Sequence, residues 1–182
     1  MNIVAPESTR GCDVRRMNDV AAFLSLDDVL LDLDVPNKIR LFEGVGALLD
    51  RRHHLPHTLA CDSLLAREKM GSTGLGQGVA IPHARVKGLT RPIAAFVRTR
   101  FPISFDAPDG KPVSDMVVLL VPSHANEAHL QLLAALAGMF GDGHFRERLR
   151  TSTDPCSVYQ LFAHWPQYGG DEPCSAQALA KG

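Results

Sequence analysis

The sequence predicts an α/β sandwich, a central mixed β-sheet of about five strands with helices on both faces. Three observations predict it. Helical periodicity comes first, short runs rich in β-branched and aromatic residues follow, and helical periodicity returns towards the end of the 182-residue chain. One of the runs, MVVLLV at 116–121, is apolar on both faces, as a central strand covered on two sides must be. The turns between runs carry Gly, Pro and Asp, as in DAPDG at 106–110.

Taken in order, residues 1–17 are polar and aperiodic and read as a flexible extension; the stretch from His164 to the end, rich in Gly, Pro and Ser, reads as a second one. The folded body then runs over 18–163. Ser25 or Asp27 can open a short helical turn at VLL, 29–31. Asn37 can cap a helix with Ile39, Phe42, Val45, Leu48 and Leu49 on one face. Pro56 ends it, and Thr58 can cap a second helix through Leu59, Leu64, Leu65, Arg67 and Met70, stopping near Gly71. Strands are expected at 79–81, 92–100, 102–105 and 116–122. Asn126 can cap a helix bearing Leu130, Leu133, Ala134, Leu136 and Ala137. HFRERLR and PCSVYQLFA form two more, the last with Asp154 as cap and Pro155 at its first position.

Composition excludes several functions. Lys and Arg number 19 against 20 Asp and Glu, so no global field recruits nucleic acid or anionic lipid. No apolar run reaches membrane-spanning length, and the first residues lack the apolar segment of a signal peptide, which points to the cytoplasm. Cys12, Cys61, Cys156 and Cys174 are scattered without CxxC spacing, which argues against a disulfide framework or zinc ribbon.

Eight histidines invite a metal reading. His53 and His57 have i, i+4 spacing, but Pro56 breaks the helix that would make it useful. His124 and His129 are five apart and share a helical face poorly, and there is no HExxH. His83 stands apart. It follows GLGQGVAIP, where Gly74, Gly76 and Gly78 allow close backbone approach and Pro82 fixes φ, so an imidazole at this strand exit is rigidly aimed. Such a residue is a nucleophile, a base or a ligand, although a histidine capping a turn would look the same. If Asn126 is the cap, His129 is the third residue of its helix, where free amides favour an anion. With Arg67 upstream, the three form a phosphate-handling set; a solvent-facing first-turn histidine is the bland alternative for His129.

The stretch Glu68 to Ala84, EKMGSTGLGQGVAIPHA, resembles the phosphohistidine signature of enzyme IIA domains of the fructose/mannitol type, from the bacterial phosphoenolpyruvate-dependent phosphotransferase system. The likeness continues through SLDDVLLDLDVPNKIRLFEGVGALL, FDAPDGKPVSDMVVLLVPS and HLQLLAALAGMF, covering roughly 24–163. It implies that His83 accepts a phosphoryl group, as a tele-phosphohistidine, from an HPr-like phosphocarrier protein, assisted by Arg67 and His129. No metal or cofactor is called for. LDDVLLDLDVPNK with GSTGLGQGVAIPH is closer to the nitrogen-related branch, a regulatory phosphocarrier acting on transporters or sensor kinases. A sugar-transport component passing phosphate to an enzyme IIB, and a degenerate module that only binds, are the alternatives. Ala84 departs from the glycine usual in the family after the histidine.

Overall fold

The computed structural model describes residues 20–124 and 127–165. The extension expected at 1–17, nearly all of the tail expected from His164 and the cap expected at Asn126 lie outside them. The elements run β1 (Leu24–Leu33), α1 (Lys38–His53), α2 (His57–Lys69), β2 (Gly74–Gly76), β3 (Val79–Ala80), β4 (His83–Val86), β5 (Ile93–Ile103), β6 (Val113–Pro122), α3 (Glu127–Gly141), α4 (Gly143–Thr151) and α5 (Pro155–Ala163). They build a mixed sheet of six strands in the order β1-β5-β6-β3-β2, with β4 also on β6. Helices cover both faces, so the expected sandwich is the observed one.

The caps follow the expected chemistry. The Asn37 side chain accepts the Arg40 N–H at the start of α1, and Asp154 accepts that of Ser157 with Pro155 next to it. Central β6 is buried along nearly its whole length. Its even positions Met116, Val118 and Leu120 join Phe42, Val45 and Leu64 of α1 and α2 in one core. Its odd positions Val117, Leu119 and Val121 join Leu136, Phe145 and Phe162 of α3 to α5 in the other. Each face buries its own apolar layer, and that double burial holds the sheet in place.

Several details differ from the sequence reading. The VLL stretch is strand, not helical turn: β1 lies parallel to β5, with Val29 opposite Phe96, and tertiary pairing overrides local propensity. Pro56, not Thr58, occupies the cap of α2, and it offers no side-chain bond. The runs 92–100 and 102–105 are one strand, β5. On α3 the buried face is Leu132, Leu136, Met139 and Phe140, whereas Leu130 is 64% exposed. A helix that is apolar nearly all round does not reveal in sequence which face meets the sheet.

The most consequential difference is at His83. It opens a strand rather than leaving one, and it is half-buried. Val79 and Ala80 lie opposite Asp115 and Met116, and His83 and Ala84 opposite Leu119 and Leu120, so the register against β6 is unchanged across the gap. β3 and β4 are one line of chain, interrupted where Pro82 has no N–H to give.

Candidate functional site

The register of β4 aims His83. It lies opposite Leu119, whose side chain packs into the α3–α5 layer, so the imidazole faces that layer while Ala84 faces the other. His129, from the first turn of α3, meets it with ring centroids 5.8 Å apart. Arg67 comes from the opposite layer, at the end of α2, which packs on β4. The structure thus brings together all three residues singled out in the sequence, at an edge where two layers meet.

Hydrogen bonds specify the state of the ring. Nδ1 of His83 is 2.7 Å from the carbonyl of Ile81, which can only accept, so Nδ1 carries the hydrogen and donates it. Nε2 therefore holds the lone pair and accepts the Nε–H of Arg67 at 3.2 Å. A second Arg67 nitrogen, Nη1, donates to the Gly71 carbonyl at 3.0 Å and fixes the guanidinium. Burial pulls the His83 pKa below the ordinary histidine value, and the Arg67 charge adds to this; the Ile81 carbonyl and Glu68 act in the opposite direction. At neutral pH the ring is uncharged and nucleophilic.

His129 is 6% exposed, not solvent-facing. Burial lowers its pKa, helped by His83 and by Arg85, and its buried Nδ1 has no hydrogen-bond partner among the described residues. Arg85, exposed two residues after His83 and on the same side of β4, is not marked in the sequence, because only the strand over 83–86 brings it to that side. Nothing in the sequence could mark the Ile81 carbonyl, because it is backbone.

The glycine loop is built for a tight turn. Gly76 and Gly78 have φ of +88° and +80°, and a Cβ on Gly76 would fall 3.1 Å from Asp109 Cγ. Asp109 in turn accepts the N–H of Gln77 at 2.8 Å and that of Lys111 at 3.1 Å, bonds that hold its carboxyl below the usual range. The other histidines weighed for a metal are occupied separately: His53 bonds the buried Asp28 through Nε2 at 2.9 Å, and His57 donates to the Glu43 carbonyl.

Residues 22–165 match the model of the family described as phosphoenolpyruvate-dependent sugar phosphotransferase system, EIIA 2. The chain belongs to that family. This enzyme IIA chain is therefore a phosphotransferase-system component, as the 68–84 signature implied. It is 42% identical over 135 residues to a nitrogen regulatory protein of Pseudomonas aeruginosa, covering 72% of this chain and 86% of that one. It is 37% identical over 126 residues to a nitrogen regulatory protein of Escherichia coli, covering 69% and 77%. Among solved structures, nitrogen regulatory protein IIA-Ntr from Neisseria meningitidis superposes with a TM-score of 0.75 at 48% identity, covering 79% of this chain and 98% of that one. Mannitol IIA from Escherichia coli, at 20% identity and a TM-score of 0.65 over 76% and 98% of the two chains, shares the fold. Among the described residues no helix is long and apolar enough to cross a membrane.

Proposed function

We propose that this chain is a cytoplasmic phosphocarrier of the nitrogen-related branch: His83 takes a phosphoryl group on Nε2 from an HPr-like protein, and the phosphorylation state governs binding to regulatory targets such as transporters or sensor kinases. The observation that carries this is the division of labour between the ring nitrogens, Nδ1 committed to Ile81 and Nε2 turned towards Arg67. The nitrogen regulatory relatives support the regulatory half.

The transfer balances simply. The Nε2 lone pair forms the new N–P bond while the P–N bond of the donor phosphohistidine breaks, its electron pair staying on the donor's imidazole. His83 keeps its Nδ1 hydrogen, so the phosphorylated ring is cationic, and the Ile81 carbonyl stabilises that charge. Arg67, which holds the lone pair in the free protein, passes to the phosphoryl oxygens as the bond forms. His129, uncharged and adjacent, is placed to bond an oxygen on the other side. Positioning and electrostatics supply most of the catalysis in such a transfer. A protein donor fits the surroundings: Met70, 85% exposed, caps the end of α2 three residues after Arg67, and Leu130, 64% exposed, follows His129 on α3.

The test is incubation with phosphoenolpyruvate, enzyme I and HPr, then intact-mass analysis of wild type and His83→Ala, with a panel of IIB domains added afterwards. One phosphoryl group on wild type alone, retained in the presence of IIB, is expected. Rapid discharge to one IIB makes the protein a sugar-transport component instead, and absence of phosphate leaves a binding module.

A further inference from the structure

Adjacent residues at the end of α2 reach the two nitrogens of His83 by different routes. Arg67 goes directly to Nε2. Glu68 goes through the backbone. Its carboxylate accepts the Thr73 hydroxyl at 2.6 Å and the Thr73 N–H at 3.2 Å. The Thr73 carbonyl accepts the N–H of Ile81 at 3.0 Å, and the Ile81 carbonyl accepts Nδ1–H of His83 at 2.7 Å. The Glu68 carboxylate is only 7% exposed and is paired with Lys38, 3.2 Å away, which is itself tied to Asp106. Thr73 is 5% exposed.

We propose that Glu68 and Thr73 are positioning residues for phosphoryl transfer: by holding Ile81 in place they select the His83 tautomer with hydrogen on Nδ1 and so make Nε2 the reactive nitrogen. The two tautomers of a neutral imidazole are close in energy, and one well-formed hydrogen bond decides between them. Ile81 is held on two sides, its own N–H by the Thr73 carbonyl at 3.0 Å and the next residue, Pro82, by its carbonyl accepting the Leu119 N–H of β6 at 2.8 Å, so the GST loop sets the aim of the Ile81 carbonyl from the N-terminal side. Glu68 and Thr73 supply that aim, because the loop has one buried anion onto which both the N–H and the hydroxyl of Thr73 close. The negative charge of Glu68 also favours a cationic His83 ring, the form that phosphorylation creates.

The inference rests on His83 being the phosphoacceptor, and its test reads the ring before any phosphate is present. Nitrogen-15 NMR of the His83 side chain in wild type is expected to show one tautomer, hydrogen on Nδ1. In Glu68→Ala and Thr73→Val the Nε2–H form becomes populated. The turnover rate with phosphorylated HPr falls about tenfold or more, with KM for the donor unchanged, as for a slightly misplaced nucleophile. Thr73→Ser, which keeps the hydroxyl, restores both. Folded variants that retain a pure Nδ1–H tautomer and the wild-type rate overturn the proposal. If Glu68→Ala does not fold, the Thr73 pair decides. A wild type that takes no phosphate refutes the proposed function, and the tautomer comparison still rules on this one.

Discussion

The Nε–H of Arg67, on α2, points at Nε2 of His83, on β4, across 3.2 Å and sixteen residues of sequence. The same guanidinium is bonded to the Gly71 carbonyl, which holds it beside the proposed acceptor nitrogen. Arg67→Ala is expected to slow phosphorylation about 100-fold, the effect of removing one aimed donor from a developing charge. Arg67→Lys keeps the charge but cannot reach Gly71 and His83 together, and recovers only part of the rate. Single-turnover kinetics with phosphorylated HPr measure both; a wild-type rate in Arg67→Ala would make the residue helix surface.

His83→Ala should accept no phosphoryl group while keeping the fold, because His83 is half-buried at the edge strand and β4 holds to β6 through its backbone. Intact mass and thermal unfolding check the two halves separately. Phosphate on the variant would relocate the acceptor.

His129→Phe separates catalysis from stability. A buried polar atom without a partner costs about 1–3 kcal/mol; Nδ1 of His129 has none among the described residues, and Phe retains a planar ring without that atom. The variant is expected to unfold at the same or a higher temperature than wild type and to transfer phosphate about tenfold more slowly. A large fall in melting temperature would show that His129 holds α3 against the sheet through a bond of its own.

Acid should destabilise the protein in a defined interval. In the unfolded chain His83 and His129 take up protons near pH 6.5, whereas in the folded protein burial delays protonation to lower pH. Between those points the unfolded state binds more protons, so stability is full above about pH 6.5 and falls as the pH drops below it. Urea unfolding from pH 8 to 5 measures the slope. His83→Gln combined with His129→Gln should flatten it, and an unchanged slope would assign the loss to other groups.

Arg98 predicts a loss of stability away from the site. Its Nε donates to Asp115 at 2.6 Å, and its two other nitrogens bond the carbonyls of Ser152 and Leu149 at the end of α4. Arg98→Met leaves Asp115, 3% exposed, charged and unpaired, at a cost of about 3–5 kcal/mol. A melting temperature lowered by about 10 °C is expected, with His83 still phosphorylated at low temperature. Calorimetry decides, and a variant as stable as wild type would mean that water replaces the lost bonds.

The sandwich, the helices at 38–53 and 57–69 and the buried strand MVVLLV were legible in the sequence because each rests on local pattern: Asn37 and Asp154 as caps, Pro56 as a break, and a run apolar on both faces. β1 and β4 were not. Both are short of local signal and exist through partners far along the chain, β5 for one and β6 for the other.

By itself the sequence determined which residues have the chemistry for phosphate handling, since His83, Arg67 and His129 are identities and a proline fixing the backbone before His83 is a local constraint. The tertiary structure alone decided that they meet, which ring nitrogen keeps its lone pair, and that Glu68 is linked through Thr73 and Ile81 to the other. Those outcomes depend on strand register, on two helical layers converging at one edge, and on backbone carbonyls that every residue possesses. A hydrogen bond to a carbonyl leaves no mark in the residue that offers it; only the fold says which carbonyl faces the ring.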